Sequence, residues 1–515
     1  MRNITQASGR QAAISCGHPA ATAAAVELLR EGGNLVDAAL AAASVLAVVL
    51  PQACTLGGDA FILYHDAGLA KTFALNASGR SPSETDFSGA SSIPERGGQA
   101  CTVPGLVGGW AALHGRFGKL AWPRVLARAH RLASDGFPAS PGLASATNAT
   151  RALLAKDPGS ARIFLDGGAD RAGGSFRQPA LAAVLEELMA GGADALYKGR
   201  AAESLSAYVR SRGGWLSAAD LAAYEPEWME PLTADYRGLT VAVAPPNSFG
   251  LFMLLQLGIL ADLAPLSGDA VASARYDLLI DAARAAFAAG DRCVADPRHG
   301  PDPASALLTS AGREKLLRAF HARKAAAPSN RSGTSVISAI DADGNAVAIV
   351  QSVFMVYGSA CADPGTGILL NNRMIGFTLE QGHPNCAAPA KRPAHTLNPV
   401  ITLENGRVRH VLLSPGGPGQ TLTLTQILQA ATDHRLPLAG AIALPRWSMD
   451  LQGRTIVEPD FPAGLFDELN GLGHDVARGV AGSPFFGSAE CVERLADGSL
   501  LAVADDRREA SAAAL

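Results

Sequence analysis

Little in this 515-residue chain is charged, aromatic or sulfur-bearing. Charged side chains make up 17%, aromatic ones 6%, and cysteine occurs seven times. The 43 basic and 47 acidic residues nearly cancel, to a net charge of −4. A balance of this kind provides neither the basic footprint of a nucleic-acid binder nor a polybasic membrane arm. The cysteines (Cys16, Cys54, Cys101, Cys293, Cys361, Cys386 and Cys491) show no CxxC spacing. An odd, scattered set favours reduced thiols in a cytoplasmic protein over a disulfide framework. The first twenty residues lack the unbroken apolar stretch of a secretory signal. The longest apolar run, Ala38 to Leu50, is too short to span a bilayer and reads as a buried helix.

What the chain has in quantity is apolar residues, 48%, punctuated by 55 glycines and 31 prolines. The expectation is a soluble globular enzyme with a large core, either one big α/β domain or two to three smaller ones. A helix is expected around Pro19 to Arg30, and the Ala-rich helix follows. A hairpin pairs Ala60–Tyr64 with Lys71–Leu75 about Asp66-Ala67-Gly68. From Trp110 to Gly250 the chain reads as largely helical, and further helices are expected at Leu251 to Leu263 and Tyr276 to Ala289. The segment His321 to Gly333 is polar, carries Pro, Ser and Gly, and reads as an exposed loop. At Thr334 a strand begins, paired with Ala346–Val353 through Asp341-Ala342-Asp343-Gly344-Asn345. A second hairpin turns at Asn405-Gly406, and its return strand ends in Ser414-Pro415-Gly416-Gly417 before a helix near Gln420 to Ala431. Strands of this character with helices outside suggest an α/β layered sandwich.

The familiar catalytic signatures are missing. There is no GxSxG, no P-loop, no GxGxxG and no HExxH among the 11 histidines. The remaining candidate is Thr334, a hydroxyl residue at a junction between loop and strand. If its hydroxyl attacks the Gly333 carbonyl, Thr334 becomes a new N-terminus. The freed α-amine, with an ordinary pKa of ~7.7–8.0, can then serve as base for the adjacent hydroxyl. Taken alone, a threonine opening a strand reflects β-propensity as readily as chemistry.

Several segments change that balance. Gly32-Gly33-Asn34-Leu35-Val36-Asp37-Ala38-Ala39, Leu56-Gly57-Gly58-Asp59-Ala60-Phe61, Val103-Pro104-Gly105 and Pro245-Pro246-Asn247-Ser248 occur in this order. Gly365 to Asn372, Lys391-Arg392-Pro393 and Ser414-Pro415-Gly416-Gly417 follow. Together they resemble the γ-glutamyltransferase family of N-terminal nucleophile hydrolases. The resemblance implies a four-layer αββα sandwich and a precursor cleaved between Gly333 and Thr334. The products are a fragment spanning 1–333 and one spanning 334–515 that stay together in one αββα unit. It further implies Thr334 as nucleophile, Ser352 as the hydroxyl paired with it, and Gly416 and Gly417 as the oxyanion hole. No cofactor or metal is implied, and the partners are a small-molecule amide and the chain's own two fragments.

The glutamyl pocket departs from the family pattern. The arginine that holds the α-carboxylate aligns with Ser78, leaving Arg80 as a shifted substitute. The acid that holds the α-ammonium aligns with Gly376 in Asn371-Asn372-Arg373-Met374-Ile375-Gly376-Phe377. Phe354 replaces an Asn, and His395-Thr396 replaces a Ser pair. Each lost charged hydrogen bond is worth ~1.5–3 kcal/mol, so these changes weaken glutamyl binding. Arg373 and His395 offer a site for a carboxylate. The altered set resembles the branch containing oxamate amidohydrolase, which implies a small anionic acyl amide as substrate. Three alternatives stand beside it. They are a γ-glutamyl hydrolase or transferase using Arg80, an acylase accepting a larger acyl chain at Phe354 and Met374, and an unprocessed relative that only binds a ligand.

Overall fold

The structure is a computed structural model that describes residues 2–266, 268–300, 304–321, 333–450, 452–480 and 484–515. Of the expected loop between His321 and Gly333, residues 322–332 lie outside the described residues.

Two seven-stranded antiparallel sheets stack face to face, each with helices on its outer side. One sheet runs, edge to edge, Ser511–Ala514, Ala12–Cys16, Gly333–Asp341, Ala346–Phe354, Asp59–Asp66, Lys71–Ala77, Glu227–Met229. The other runs Thr5–Gly9, Leu500–Ala504, Glu490–Arg494, Arg407–Leu413, Val400–Glu404, Leu239–Val243, Leu232–Tyr236. Both sheets contain strands from before and after Gly333, so the two segments share one core. Side-chain alternation separates the layers. In the first sheet Phe61, Leu63, Val336 and Val350 meet Val411 and Leu413 of the second. Ile62, Ile337 and Ile349 point the other way, into the helical layer built on Leu35–Val49. The second sheet is covered by Gly250–Asp262, Ser273–Gly290 and Gly419–Asp433. The result is the αββα sandwich expected from the sequence.

Most expected elements form within a few residues of their expected limits. The segment read as helical from Trp110 to Gly250 is the exception, because it also holds three strands of the large sheets. Leu232–Tyr236 and Leu239–Val243 are joined by Arg237-Gly238, with φ 52° and 85°. Two successive positive φ values make the two-residue hairpin turn that matches strand twist, here built with Arg-Gly where Asn-Gly is the usual signal.

The Gly32–Ala39 motif serves structure. Asn34 Oδ1 accepts from the Asp37 N–H at 3.0 Å, and Asp37 Oδ2 accepts from the Asn34 N–H at 2.9 Å. This reciprocal cap starts Leu35–Val49, a helix buried along its whole length. The helix lies beneath the strand bearing Ser352, and Gln351 Nε2 donates to the Ala43 carbonyl at 2.9 Å.

Candidate active site

Alternation along the central strands decides which side chains share a face. Thr334 has the parity of Val336, Ser352 that of Val350, and Asp59 that of Phe61, so all three face the inter-sheet side. Ser352 and Asp59 are direct register partners. Gly333 pairs with Phe354 and Ser335 with Gln351, leaving Thr334 opposite two residues, Ser352 and Val353. This irregularity is a bulge, a device that redirects a side chain out of the ladder. Here it brings Thr334 Oγ1 to 3.3 Å from Ser352 Oγ. Ser352 Oγ in turn donates to the Gly333 carbonyl oxygen and accepts from the Phe354 N–H at 2.7 Å. The bond between residues 333 and 334 thus has a hydroxyl on its carbonyl oxygen and a second hydroxyl beside it, all buried. Glycine at 333 is dictated by space, since a Cβ there would lie 2.7 Å from the Gln52 carbonyl oxygen.

The Gly416-Gly417 turn lies toward the same end of the sandwich. Arg494 donates to the Asp341 carbonyl, and Arg409 donates to the Arg494 carbonyl. These contacts set the start of Arg407–Leu413 against the Asp341 end of the facing sheet. The strand therefore finishes toward Thr334. Gly416 and Gly417 have φ 133° and 55°, and neither amide donates to another described residue. Such a pair of N–H groups before a helix N-terminus suits a developing oxyanion.

Next to this site lies a fully buried charged cluster. Arg373 is carried by a short 3₁₀ turn, Arg373–Gly376. The preceding asparagines tie that turn down. Asn371 Oδ1 accepts from the Thr102 and Arg373 N–H groups, and Asn372 bonds the Met355 N–H and the Glu95 carbonyl. The Arg373 guanidinium stacks on the Phe354 ring, 3.9 Å from its centroid, and Nη1 reaches Thr396 Oγ1 at 3.5 Å. Its Nε and Nη2 have no partner among the described residues, and it makes no ion pair there. Burial lowers its pKa to about 9 against the opposing pull of Asp59, so it is a cation at neutral pH.

His395 and Asp59 complete the cluster. His395 Nε2 donates to Asp59 Oδ2 at 3.3 Å, while its Nδ1 accepts from the Leu397 N–H at 3.4 Å. Burial and the nearby Arg373 hold the imidazole neutral, well below its ordinary pKa. Asp59 Oδ1 accepts from the Gly79 and Gly105 N–H groups at 3.0 and 3.3 Å. Its pKa is pushed up to about 6 by burial, with Arg373 and these amides opposing. Asp59 is not marked as a candidate by the sequence, where it stands inside a glycine motif. The available signal was an acid at the head of an otherwise apolar strand.

Thr334, Ser352 and Phe354 are therefore in contact, and Phe354, Arg373, His395 and Thr396 form the adjoining cluster. Arg80 stands apart from it. Its Nη1 donates to the Ala390 carbonyl at 3.3 Å and lies 3.9 Å from Asp296, away from the Arg373 cluster. The two family positions for glutamyl recognition are filled by other groups. Ser78 is buried between Asn76 and Asn247. At Gly376 a Cβ would come within 2.6 Å of the Ala394 carbonyl oxygen, so no acid fits. Cys16, Cys101 and Cys491 are no rival nucleophiles, since burial pushes their thiols up to about 12.

The family model for gamma-glutamyltranspeptidase matches residues 21–515. The chain belongs to this family. It is 34% identical over 510 residues to a glutathione hydrolase-like YwrD proenzyme of Bacillus subtilis, covering 96% of this chain and 97% of that protein. It is also 34% identical over 520 residues to an oxamate amidohydrolase proenzyme of Klebsiella pneumoniae, again 96% and 97% covered. Among solved structures, a cephalosporin acylase from Bacillus halodurans superposes with a TM-score of 0.91 at 30% identity, covering 100% and 97% of the two chains. As a gamma-glutamyltranspeptidase family member of N-terminal nucleophile type, the chain is an enzyme of acyl-transfer chemistry.

Proposed function

We propose that the chain is a self-processing threonine amidohydrolase that grips its substrate through a carboxylate on the acyl half. The observation that carries this reading is Arg373, a buried cation with two unmatched donor atoms. It is held on Phe354, the residue paired with Gly333. Such a guanidinium is costly to bury unless a carboxylate with matched geometry completes it.

In maturation, Thr334 Oγ1 attacks the Gly333 carbonyl carbon while the Ser352 hydroxyl holds its oxygen. The C–N bond breaks, the nitrogen takes a proton to become the Thr334 amine, and water cleaves the resulting ester. Catalysis repeats the same sequence on the substrate. The α-amine takes the Thr334 hydroxyl proton, the hydroxyl attacks the amide carbonyl, and Gly416 and Gly417 hold the oxyanion. The amine leaves with the proton, and water hydrolyses the acyl ester. Ser352→Ala removes the donor on the scissile carbonyl and is expected to slow fragment formation about a hundredfold, followed as a time course on denaturing gels.

Among carboxylate-bearing amides, the comparisons favour γ-glutamyl amides of the glutathione type, since glutathione hydrolases recur among the relatives. One geometric observation favours small anionic amides of the oxamate type. Asp59 already accepts from three donors, and Gly376 has no room for an acid, so a substrate ammonium lacks a dedicated acceptor. Assays with γ-glutamyl p-nitroanilide, oxamate, succinamate, a glutaryl amide and uncharged butyramide test both. Turnover is expected only for substrates bearing a carboxylate, and the fastest of them names the class. Butyramide turned over as well as succinamate would remove Arg373 as the anchor, and an intact, inactive chain would favour a binding protein.

A further inference from the structure

The pocket contains a negative charge for which the carboxylate anchor has no use. Asp59 is fully buried on the face shared with Thr334 and Ser352, one strand beyond Ser352. The ionisable groups around it come from every neighbouring element. Arg373 and Arg392 are cationic, His395 is neutral, and Tyr197, Tyr224 and Cys54 are held protonated by burial. In an interior of low dielectric, charges of opposite sign here compensate each other over several ångströms.

We propose that Asp59 is a specificity residue of this pocket. Its charge offsets that of Arg373, so an acyl group with a bare carboxylate binds best when Asp59 is neutral, and one that also carries an ammonium binds best when Asp59 is ionised. The proposal rests on Arg373 as the carboxylate anchor. Asp59 acts through the field around Arg373, and its own oxygens stay on Gly79, Gly105 and His395.

The pKa of about 6 puts the switch within assay range. A substrate carboxylate, with an ordinary pKa of ~4, stays ionised throughout. As pH rises through six, Asp59 becomes an anion and repels it. KM for succinamate in the wild-type enzyme is therefore expected to rise about tenfold between pH ~5 and ~7, whereas KM for γ-glutamyl p-nitroanilide stays level or falls. Deprotonation of the Thr334 amine is read separately, in kcat. Asp59→Asn keeps an oxygen for the two backbone amides. It is expected to make KM for succinamate low and independent of pH, and to raise KM for the γ-glutamyl substrate. A flat wild-type KM for succinamate overturns the proposal however the variant folds. Arg373→Met distinguishes the two failures. If it raises KM while the wild-type profile is flat, only the role of Asp59 falls. If it leaves KM unchanged, the anchor falls and takes this proposal with it.

Discussion

Thr334→Ala is expected to yield a single polypeptide of 52.8 kDa on denaturing gels, where the wild type is expected to yield fragments of 333 and 182 residues. The same change is expected to lower amide hydrolysis by about 10⁴-fold or more. Both effects have one cause. In the proposed mechanism the hydroxyl that attacks Gly333 is the one that attacks the substrate, and without cleavage the α-amine that would deprotonate it never forms. The fold itself is expected to survive, because Ala keeps the Cβ and the strand pairing of Gly333–Asp341 involves only backbone. A melting temperature close to that of the wild type checks this. Thr334→Ser restores a hydroxyl and is expected to recover cleavage and part of the activity. Two fragments from Thr334→Ala would place the nucleophile elsewhere.

Arg373→Met is expected to separate binding from stability. Two charged hydrogen bonds at ~1.5–3 kcal/mol each put the rise in KM for a carboxylate-bearing amide at about 10²-fold or more. The folded protein is expected to gain stability at the same time, by about 1–3 kcal/mol, because a buried cation with two unmatched donors gives way to an apolar side chain of similar length. Urea titration measures the gain, and steady-state kinetics the loss. Arg373→Lys is not expected to rescue binding. An ammonium cannot supply the planar fork, and it stacks poorly on Phe354. A destabilised Arg373→Met with unchanged KM would mean that the guanidinium is structural.

The two large-effect changes bear on different kinds of information. Thr334 is singled out in the chain by the ordered series of family motifs around it, since a threonine opening a strand is by itself as consistent with β-propensity as with chemistry. A glycine, a hydroxyl residue and a strand in register with Asp341-Ala342-Asp343-Gly344-Asn345 are contiguous, and hairpin geometry follows from turn residues nearby. The Asn405-Gly406 hairpin and the central strands are legible from the same kind of turn chemistry and strand pattern. The Arg237-Gly238 hairpin is not legible in the sequence because its turn uses an uncommon residue at a positive φ, which only the backbone reveals.

Arg373 and Asp59 are another matter. The chain shows where the family's recognition residues are missing, at Ser78 and Gly376, but it does not show what stands in the vacated space. Three segments distant in sequence meet there: the strand start at Asp59, the turn at Arg373 and the stretch at His395. Whether Arg80 or Arg373 faces the pocket is likewise decided by packing, since Arg80 turns toward Ala390 and Asp296.

The sequence by itself determined the family and the layered architecture, because both are carried by strand and turn patterns and an ordered series of short motifs, and from that series came the expectation of a reacting bond between Gly333 and Thr334. The tertiary structure alone decided the charge of the buried cluster proposed as the acyl pocket. Burial, and the number of hydrogen-bond partners that burial leaves, set the protonation of Asp59, His395 and Arg373. Both are properties of the space between segments and of no single segment.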